Sequence, residues 1–214
     1  MFADRHDAGR RLGQHLVDRL GFLVPAVRRP LVLALPRGGV PVGVPVAVAL
    51  NGDLDIVIAR KIAAPGQPEY GIGALAEDGP PVFDGRALEA LGLSEADLSG
   101  AVEHERAEVG RRMLRYRAGR AAPEAHGRIV VVVDDGLATG VTARATLRWL
   151  HGHEPAYLVL AAPVCSRQAH DALAGDADVL ACLRIPDEFR AVGDWYQDFR
   201  QLTDDDVTGL LTAT

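Results

Sequence analysis

Five short apolar runs recur along the chain, and the segments between them follow a different period. Residues 31–35 (L-V-L-A-L), 55–59 (D-I-V-I-A), 129–133 (I-V-V-V-V), 157–161 and 179–183 are each four or five residues of mostly unbroken apolar character. Runs of that length, rich in β-branched residues, predict strands buried on both faces. Between them the apolar positions fall at helical spacing. Leu12, Leu16, Val17 and Leu20 mark an amphipathic helix over 6–21, with Gly21 suited to its C-terminal end. Residues 40–50 predict a buried helix in spite of Pro41 and Pro45, because Pro41 falls near the first turn, where a missing N–H costs little. Residues 141–151 and 167–174 predict two more helices, the second capped by Ser166. Strands alternating with helices predict an α/β fold with a parallel, doubly wound sheet.

Three stretches depart from that alternation. Residues 63–68 (A-A-P-G-Q-P) are turn-rich and predict no regular element, a composition that suits a mobile lid. Residues 71–76 and 81–83 predict short strands, joined as a hairpin around 77–80. Residues 94–118 predict one long polar helix with Ser94 as N-cap, Asp97 completing an acidic capping box, and His104 on a solvated face.

With 214 residues and 48% apolar content, the chain suffices for one domain with a sizeable core, and not clearly for two. A net charge of -6 argues against bulk nucleic-acid binding. No apolar run reaches the length of a membrane span, and the start, M-F-A-D-R-H, lacks an apolar signal core, so a cytoplasmic location is expected. Cys165 and Cys182 have no metal-type spacing and read as buried thiols.

The chemistry collects at strand ends, where open α/β sheets bind their ligands. After 129–133 come two carboxylates, Asp134 and Asp135, and then Gly136, Leu137, Ala138, Thr139, Gly140, Val141 and Thr142, leading into a helix. Small residues at a helix N-terminus leave backbone N–H groups and a favourable dipole for a phosphate. After 31–35 come Arg37, Gly38 and Gly39, and after 55–59 come Arg60 and Lys61. These cations read either as a polyanion site or as solvated strand ends. The tail, 184–202, holds Phe189, Trp195, Tyr196 and Phe199, four of eleven aromatics. They serve either as a plug for the open end of the core or as a stacking surface for a flat ligand.

The combination resembles the type I phosphoribosyltransferase family. V-V-V-V-D-D-G-L-A-T-G-V-T is similar to that family's signature for 5-phosphoribosyl-1-diphosphate (PRPP): apolar strand, acidic pair, small-residue loop ending T-G-x-T. The resemblance implies a Rossmann-like parallel sheet in a single domain over 1–214. Its parts would be a core about 30–183, an insertion helix about 94–118, and a small hood about 184–202 together with the N-terminal helix. It further implies that Asp134 and Asp135 meet the ribose hydroxyls and help place Mg²⁺, mostly indirectly through PRPP and water. Gly136 would bind PRPP, and residues 138–142 (Ala138, Thr139, Gly140, Val141, Thr142) would hold its 5′-phosphate. Arg37, Gly38 and Gly39 would form the diphosphate loop, and Arg60 and Lys61 would act on diphosphate, in relatives across a homodimer interface. Asp134, Asp135, Arg37 and Lys61 would carry catalysis. Phe189, Trp195 and Tyr196 would cover a nucleobase, and residues 64–73 would close over the site.

The implied function is Mg²⁺-dependent transfer of ribose 5-phosphate between PRPP and a purine or pyrimidine, in nucleotide salvage. Two positions depart from the family pattern. Ala138 stands where hypoxanthine-type enzymes carry an acid, and Ala64 stands where adenine and orotate enzymes carry a lysine; Glu69 or Glu77 are the substitutes at hand. These departures leave a second expectation, a non-catalytic PRPP- or nucleotide-binding regulatory protein on the same fold.

Overall fold

The computed structural model describes residues 1–20 and 28–212. Its centre is a five-stranded parallel sheet of β1 (Leu31–Ala34), β2 (Asp53–Ile56), β6 (Ile129–Val133), β7 (Tyr157–Val164) and β8 (Val179–Arg184). They lie in the order β2-β1-β6-β7-β8. Helices α1 (Arg5–Leu20) and α2 (Gly39–Leu50) cover one face, and α5 (Val141–His151) and α6 (Arg167–Leu173) the other.

The period of two along the strands fixes this layering. Leu31, Leu33, Val130, Val132, Leu158 and Leu160 point toward Leu147 and Leu150 of α5 and Leu173 of α6. Their neighbours Val32, Val131, Val133 and Val159 point toward Leu12 and Leu16 of α1 and Val42 and Val46 of α2. Burial of each such side chain contributes roughly 1.5–3 kcal/mol. A charge at Val131, which is fully buried in the central strand, would break the sheet at the point where the site is built.

Two glycines bring α1 hard against α2. A Cβ on Gly9 would stand 2.4 Å from the Val42 carbonyl oxygen, and one on Gly13 would stand 2.8 Å from the Ala49 Cβ. The first turn of α1 is thereby held beside the start of α2.

A smaller antiparallel sheet is appended beyond β2. It contains β3 (Ala59–Ala64), β4 (Gln67–Ala76) and the two-residue β5 (Val82–Phe83). One face, with Ile62 and Leu75, packs on Val109 and Tyr116 of α4 (Ser99–Arg117) and on Val207 and Leu211 of α7 (Asp204–Thr212). The other face, with Ala74 and Ala76, packs on Ala145 of α5.

Several sequence expectations shift. The strand expected over 55–59 divides into β2, ending at Ile56, and β3, beginning at Ala59. The stretch 63–68, expected to hold no regular element, is the tip of the β3–β4 hairpin. Gly66 at φ +72° supplies the turn while the flanking residues pair. A closing element over 64–73 is therefore built as a hairpin rather than as a loop. Helix α3 (Gly85–Leu91), capped by Asp84, adds an element that the apolar pattern does not predict. The polar helix starts with a short 3₁₀ turn, Glu95–Leu98, in which the Ser94 N–H donates to Asp97 Oδ2 at 2.9 Å. Strand β7 runs on through Pro163 to Val164, because β6 has already ended and the proline interrupts no ladder on that side. Gly21, expected to end the first helix, lies outside the described residues.

Candidate active site

The site lies at the carboxyl ends of β1 and β6. These neighbouring strands lead to helices on opposite faces of the sheet, which opens a crevice between their ends. The segment after β1 is drawn against β6: the Leu35 N–H donates to the Val133 carbonyl at 2.9 Å. Arg37 follows a cis peptide after Pro36. Gly38 and Gly39 are required by space. A Cβ on Gly39 would meet the Val133 carbonyl oxygen at 2.5 Å, and one on Gly38 would fall 1.8 Å from Asp135 Oδ2. The two strand ends thus meet through a glycine facing a carboxylate.

Asp134 and Asp135 are both held well inside the crevice. The Asp135 N–H donates to Asp134 Oδ1 at 2.8 Å, and Arg5 Nε donates to Asp135 Oδ2 at 2.8 Å. Burial, and then the neighbouring Asp135 charge, push the Asp134 carboxyl well above the usual carboxylate range. Burial also raises Asp135, with the Arg5 guanidinium working in the opposite direction. Two crowded carboxylates with one guanidinium, bonded to Asp135, form a site short of positive charge. That fits a divalent cation. Among the described residues, no group of three or more His, Cys, Asp or Glu side chains forms a metal cage. The donor set therefore suits Mg²⁺ held mainly by ligand and water oxygens, with the two carboxylates contributing charge.

The loop after the acidic pair is anchored from below. Leu137 is buried in the core and bridges to Cys165, its N–H donating to the Val164 carbonyl at 2.9 Å. Ser166 Oγ donates to the Ala138 carbonyl at 2.5 Å and accepts from the Ala169 N–H. Gly140 caps α5 at φ +73°, the left-handed region, with no side-chain cap on the helix. The first turn of α5 keeps its N–H groups and dipole for a ligand, while Ala138 and Thr139 face solvent.

The structure brings together Arg37, Gly38, Gly39, Asp134, Asp135, Gly136 and the loop 138–142. Arg60 and Lys61 do not join them as a pair, because consecutive residues of β3 point to opposite faces. Arg60 Nε is held by Glu105 Oε2 of α4 at 2.7 Å. The exposed Lys61 lies along Gly71 on the other face, where a Cβ would meet its Cδ at 2.5 Å. Glu77 is committed to structure: it is 3% exposed and accepts from Arg117 Nη1 at 2.8 Å and from the Ile58 N–H at 2.8 Å. The Glu69 side chain lies outside the described residues.

The aromatic tail divides. Tyr196 is a plug: it packs between Phe2 and Phe199, and its hydroxyl donates to the Asp135 carbonyl at 2.5 Å. Trp195 lines a cavity of about 310 Å³ with Met1, Glu188, Arg190 and Asp194, and Phe189 is half-buried. Arg5 is a site residue that sequence reasoning misses. It lies in no motif, and its place depends on a tail nearly two hundred residues away, whose Arg200 carbonyl accepts from Arg5 Nη1 at 3.0 Å.

Comparison with known proteins agrees with this layout. The phosphoribosyl transferase domain model matches residues 26–199. Two curated Mycobacterium tuberculosis proteins that carry phosphoribosyl transferase names, Rv0571c and MT0597, are each 40% identical over 211 residues, 99% of this chain. The chain spans 46% of the length of these relatives. The crystal structure of TT1426 from Thermus thermophilus is 39% identical, with a TM-score of 0.81 over 99% of this chain and 98% of that one. A hypothetical protein from Neisseria gonorrhoeae, solved with bound ppGpp, shares the fold at 14% identity and a TM-score of 0.51, over 98% of this chain and 92% of that one.

Proposed function

The chain belongs to the phosphoribosyl transferase domain family, and on that premise we propose that it binds PRPP at the ends of β1 and β6 and transfers ribose 5-phosphate to a nucleobase-type nitrogen nucleophile. The observation that carries the reading is the joint between the two strand ends. The Asp135 carboxylate occupies the space left by the absent Gly38 side chain, beside an uncapped helix N-terminus. A ribose diol, a 5′-phosphate and a diphosphate arm need those three features within one sugar's reach.

In this reading the loop 138–142 and the first turn of α5 hold the 5′-phosphate through backbone N–H groups and the hydroxyls of Thr139 and Thr142. Asp134 and Asp135 accept from the ribose hydroxyls, which fixes the sugar and supports the positive charge that builds on it as the bond to diphosphate lengthens. Arg37 and the N–H of Gly38 stabilise the negative charge accumulating on the departing diphosphate, the Gly39 N–H being already donated to the Leu35 carbonyl at 2.9 Å. Mg²⁺, when bound, would neutralise part of that same charge. Lys61, on the β3–β4 hairpin, would reach the site as the hairpin closes and excludes water. Phe189 and Trp195 are the aromatic groups left to cover a base, since Tyr196 is packed into the core. Transfer to a purine or pyrimidine would place the protein in nucleotide salvage, as a homodimer of the family's usual kind.

The test is a panel of nucleobases incubated with PRPP and Mg²⁺, read as diphosphate release. Turnover with a base supports the enzyme reading and identifies the acceptor. Ala138, where the hypoxanthine-type pattern has an acid, and Ala64, where the adenine and orotate pattern has a lysine, favour a non-catalytic PRPP-binding regulator as the second reading. PRPP binding with no turnover on any base would select it, and a protein that does not bind PRPP would sink both.

A further inference from the structure

We propose that Arg5 is a second guanidinium of the diphosphate subsite, facing Arg37 across the cavity beside Gly38; the inference rests on the PRPP reading above. A cavity of about 230 Å³ is lined by Arg5, Arg37, Gly38, Gln201 and Leu202. Two of its walls are cationic, and no carboxylate stands among these lining residues. Its position follows from the fold. The glycine contacts between α1 and α2 fix the first turn of α1 next to the turn that leads into α2, so Arg5 and Arg37 come from different elements to the same opening.

Arg5 is held as a pre-organised fork. Its side chain is 11% exposed, and its guanidinium lies 3.8 Å from the Phe199 ring centroid. Nε donates to Asp135 Oδ2, and Nη1 donates to the Arg200 carbonyl. Those bonds use two of the five N–H groups that a guanidinium carries, and the other three remain for a ligand. A planar cation locked on three sides loses little freedom when it binds a phosphate oxygen, which is the circumstance in which arginine outperforms lysine. Arg37, by contrast, is 42% exposed and approaches Asp204 only at 3.9 Å, beyond hydrogen-bond distance. The pair therefore combines a fixed donor with a movable one, an arrangement suited to gripping a diphosphate and then releasing it.

The experiment is calorimetric titration of the full chain with three ligands in the presence of Mg²⁺: PRPP, inorganic diphosphate and ribose 5-phosphate. In Arg5→Gln, affinity for PRPP and diphosphate is expected to fall tenfold or more, while affinity for ribose 5-phosphate stays within twofold. In Arg5→Lys, which keeps a charge for Asp135, the loss for diphosphate is expected to be between threefold and tenfold with no change in melting temperature. This second variant decides the matter if Arg5→Gln does not fold. Equal losses for all three ligands would show that Arg5 acts only through Asp135 and would overturn the proposal, as would an unchanged diphosphate affinity in Arg5→Lys. Arg5-dependent uptake of diphosphate by a protein that ignores PRPP would support the anion subsite while refuting the PRPP reading. A wild-type protein that binds none of the three ligands overturns both.

Discussion

Gly38→Ala is a one-methyl test of the joint between the two strand ends. Gly38 has φ −65° and ψ −33°, right-handed helical values that alanine adopts without strain, so any destabilisation comes from space alone. The added Cβ would fall 1.8 Å from Asp135 Oδ2 and 2.4 Å from its Cγ. Ordinary contact is about 3.5 Å, so the carboxylate must withdraw by roughly 1.7 Å. A free surface carboxylate would swing aside at little cost. Asp135 cannot, because its Oδ2 is tied to Arg5 at 2.8 Å with both side chains largely shielded, at 11% and 15% exposure. Losing that charge-assisted bond costs about 1.5–3 kcal/mol. Restricting the unfolded chain returns about 0.4–1 kcal/mol. The net loss is about 1–2 kcal/mol, or roughly 2–8 °C in melting temperature for a chain of this size. The assay is thermal unfolding of Gly38→Ala alone and in an Asp135→Ala background, where the carboxylate is gone and the methyl should be neutral or mildly stabilising. A melting temperature that rises in the single variant, or that changes equally in both backgrounds, would refute the reasoning.

Three further substitutions probe the surroundings. Arg117→Met strands Glu77 and Asp55, both under 10% exposed, and should cost about 3–5 kcal/mol in chemical denaturation; an unchanged midpoint would remove the network from the account. Asp134→Asn keeps the Oδ1 acceptor for the Asp135 N–H while deleting a charge that burial and Asp135 both disfavour, so the ligand-free variant should melt higher than the wild type and bind PRPP more weakly. The sign with pH follows from the raised carboxyl: the folded wild type binds more protons than the unfolded chain, so its stability falls as pH climbs from the ordinary aspartate value of 3.8 through the raised one, and melting curves of Asp134→Asn should lack that component. Gly140→Ala forces a side chain into φ +73° with its Cβ 2.7 Å from Leu173 Cδ1, and should cost about 1–2 kcal/mol in backbone strain alone by thermal melting, together with PRPP affinity by titration.

The central sheet was legible because its strands are short, apolar and locally self-evident. Ile129–Val133 could be little else, and the residues after it announce a loop whose glycine is needed for a left-handed cap. What the sequence hid depends on distance along the chain. Arg60 reads as a ligand-seeking cation until Glu105, forty-five residues on, is found beside it. Glu77 reads as a spare acid until Arg117 folds over it. The turn-rich 63–68 suggests an open loop, because proline and glycine content reports breaks in pattern and not whether the flanks pair across them. Tyr196 and Trp195 are adjacent and similar in character, yet the first is core, its ring packed on Phe2, and the second borders a cavity. Arg5 carries no signal at all, since an arginine opening an amphipathic helix is ordinary until the chain's other end closes on it.

Binding of PRPP at the Asp134–Asp135 end of β6 is the proposal on which the other assignments depend. Titration of PRPP with Mg²⁺ into wild type and into Asp135→Ala tests it most directly. The account predicts binding by the wild type and an affinity at least about tenfold lower in the variant, about 1.4 kcal/mol or more. PRPP bound equally tightly by both proteins would contradict it.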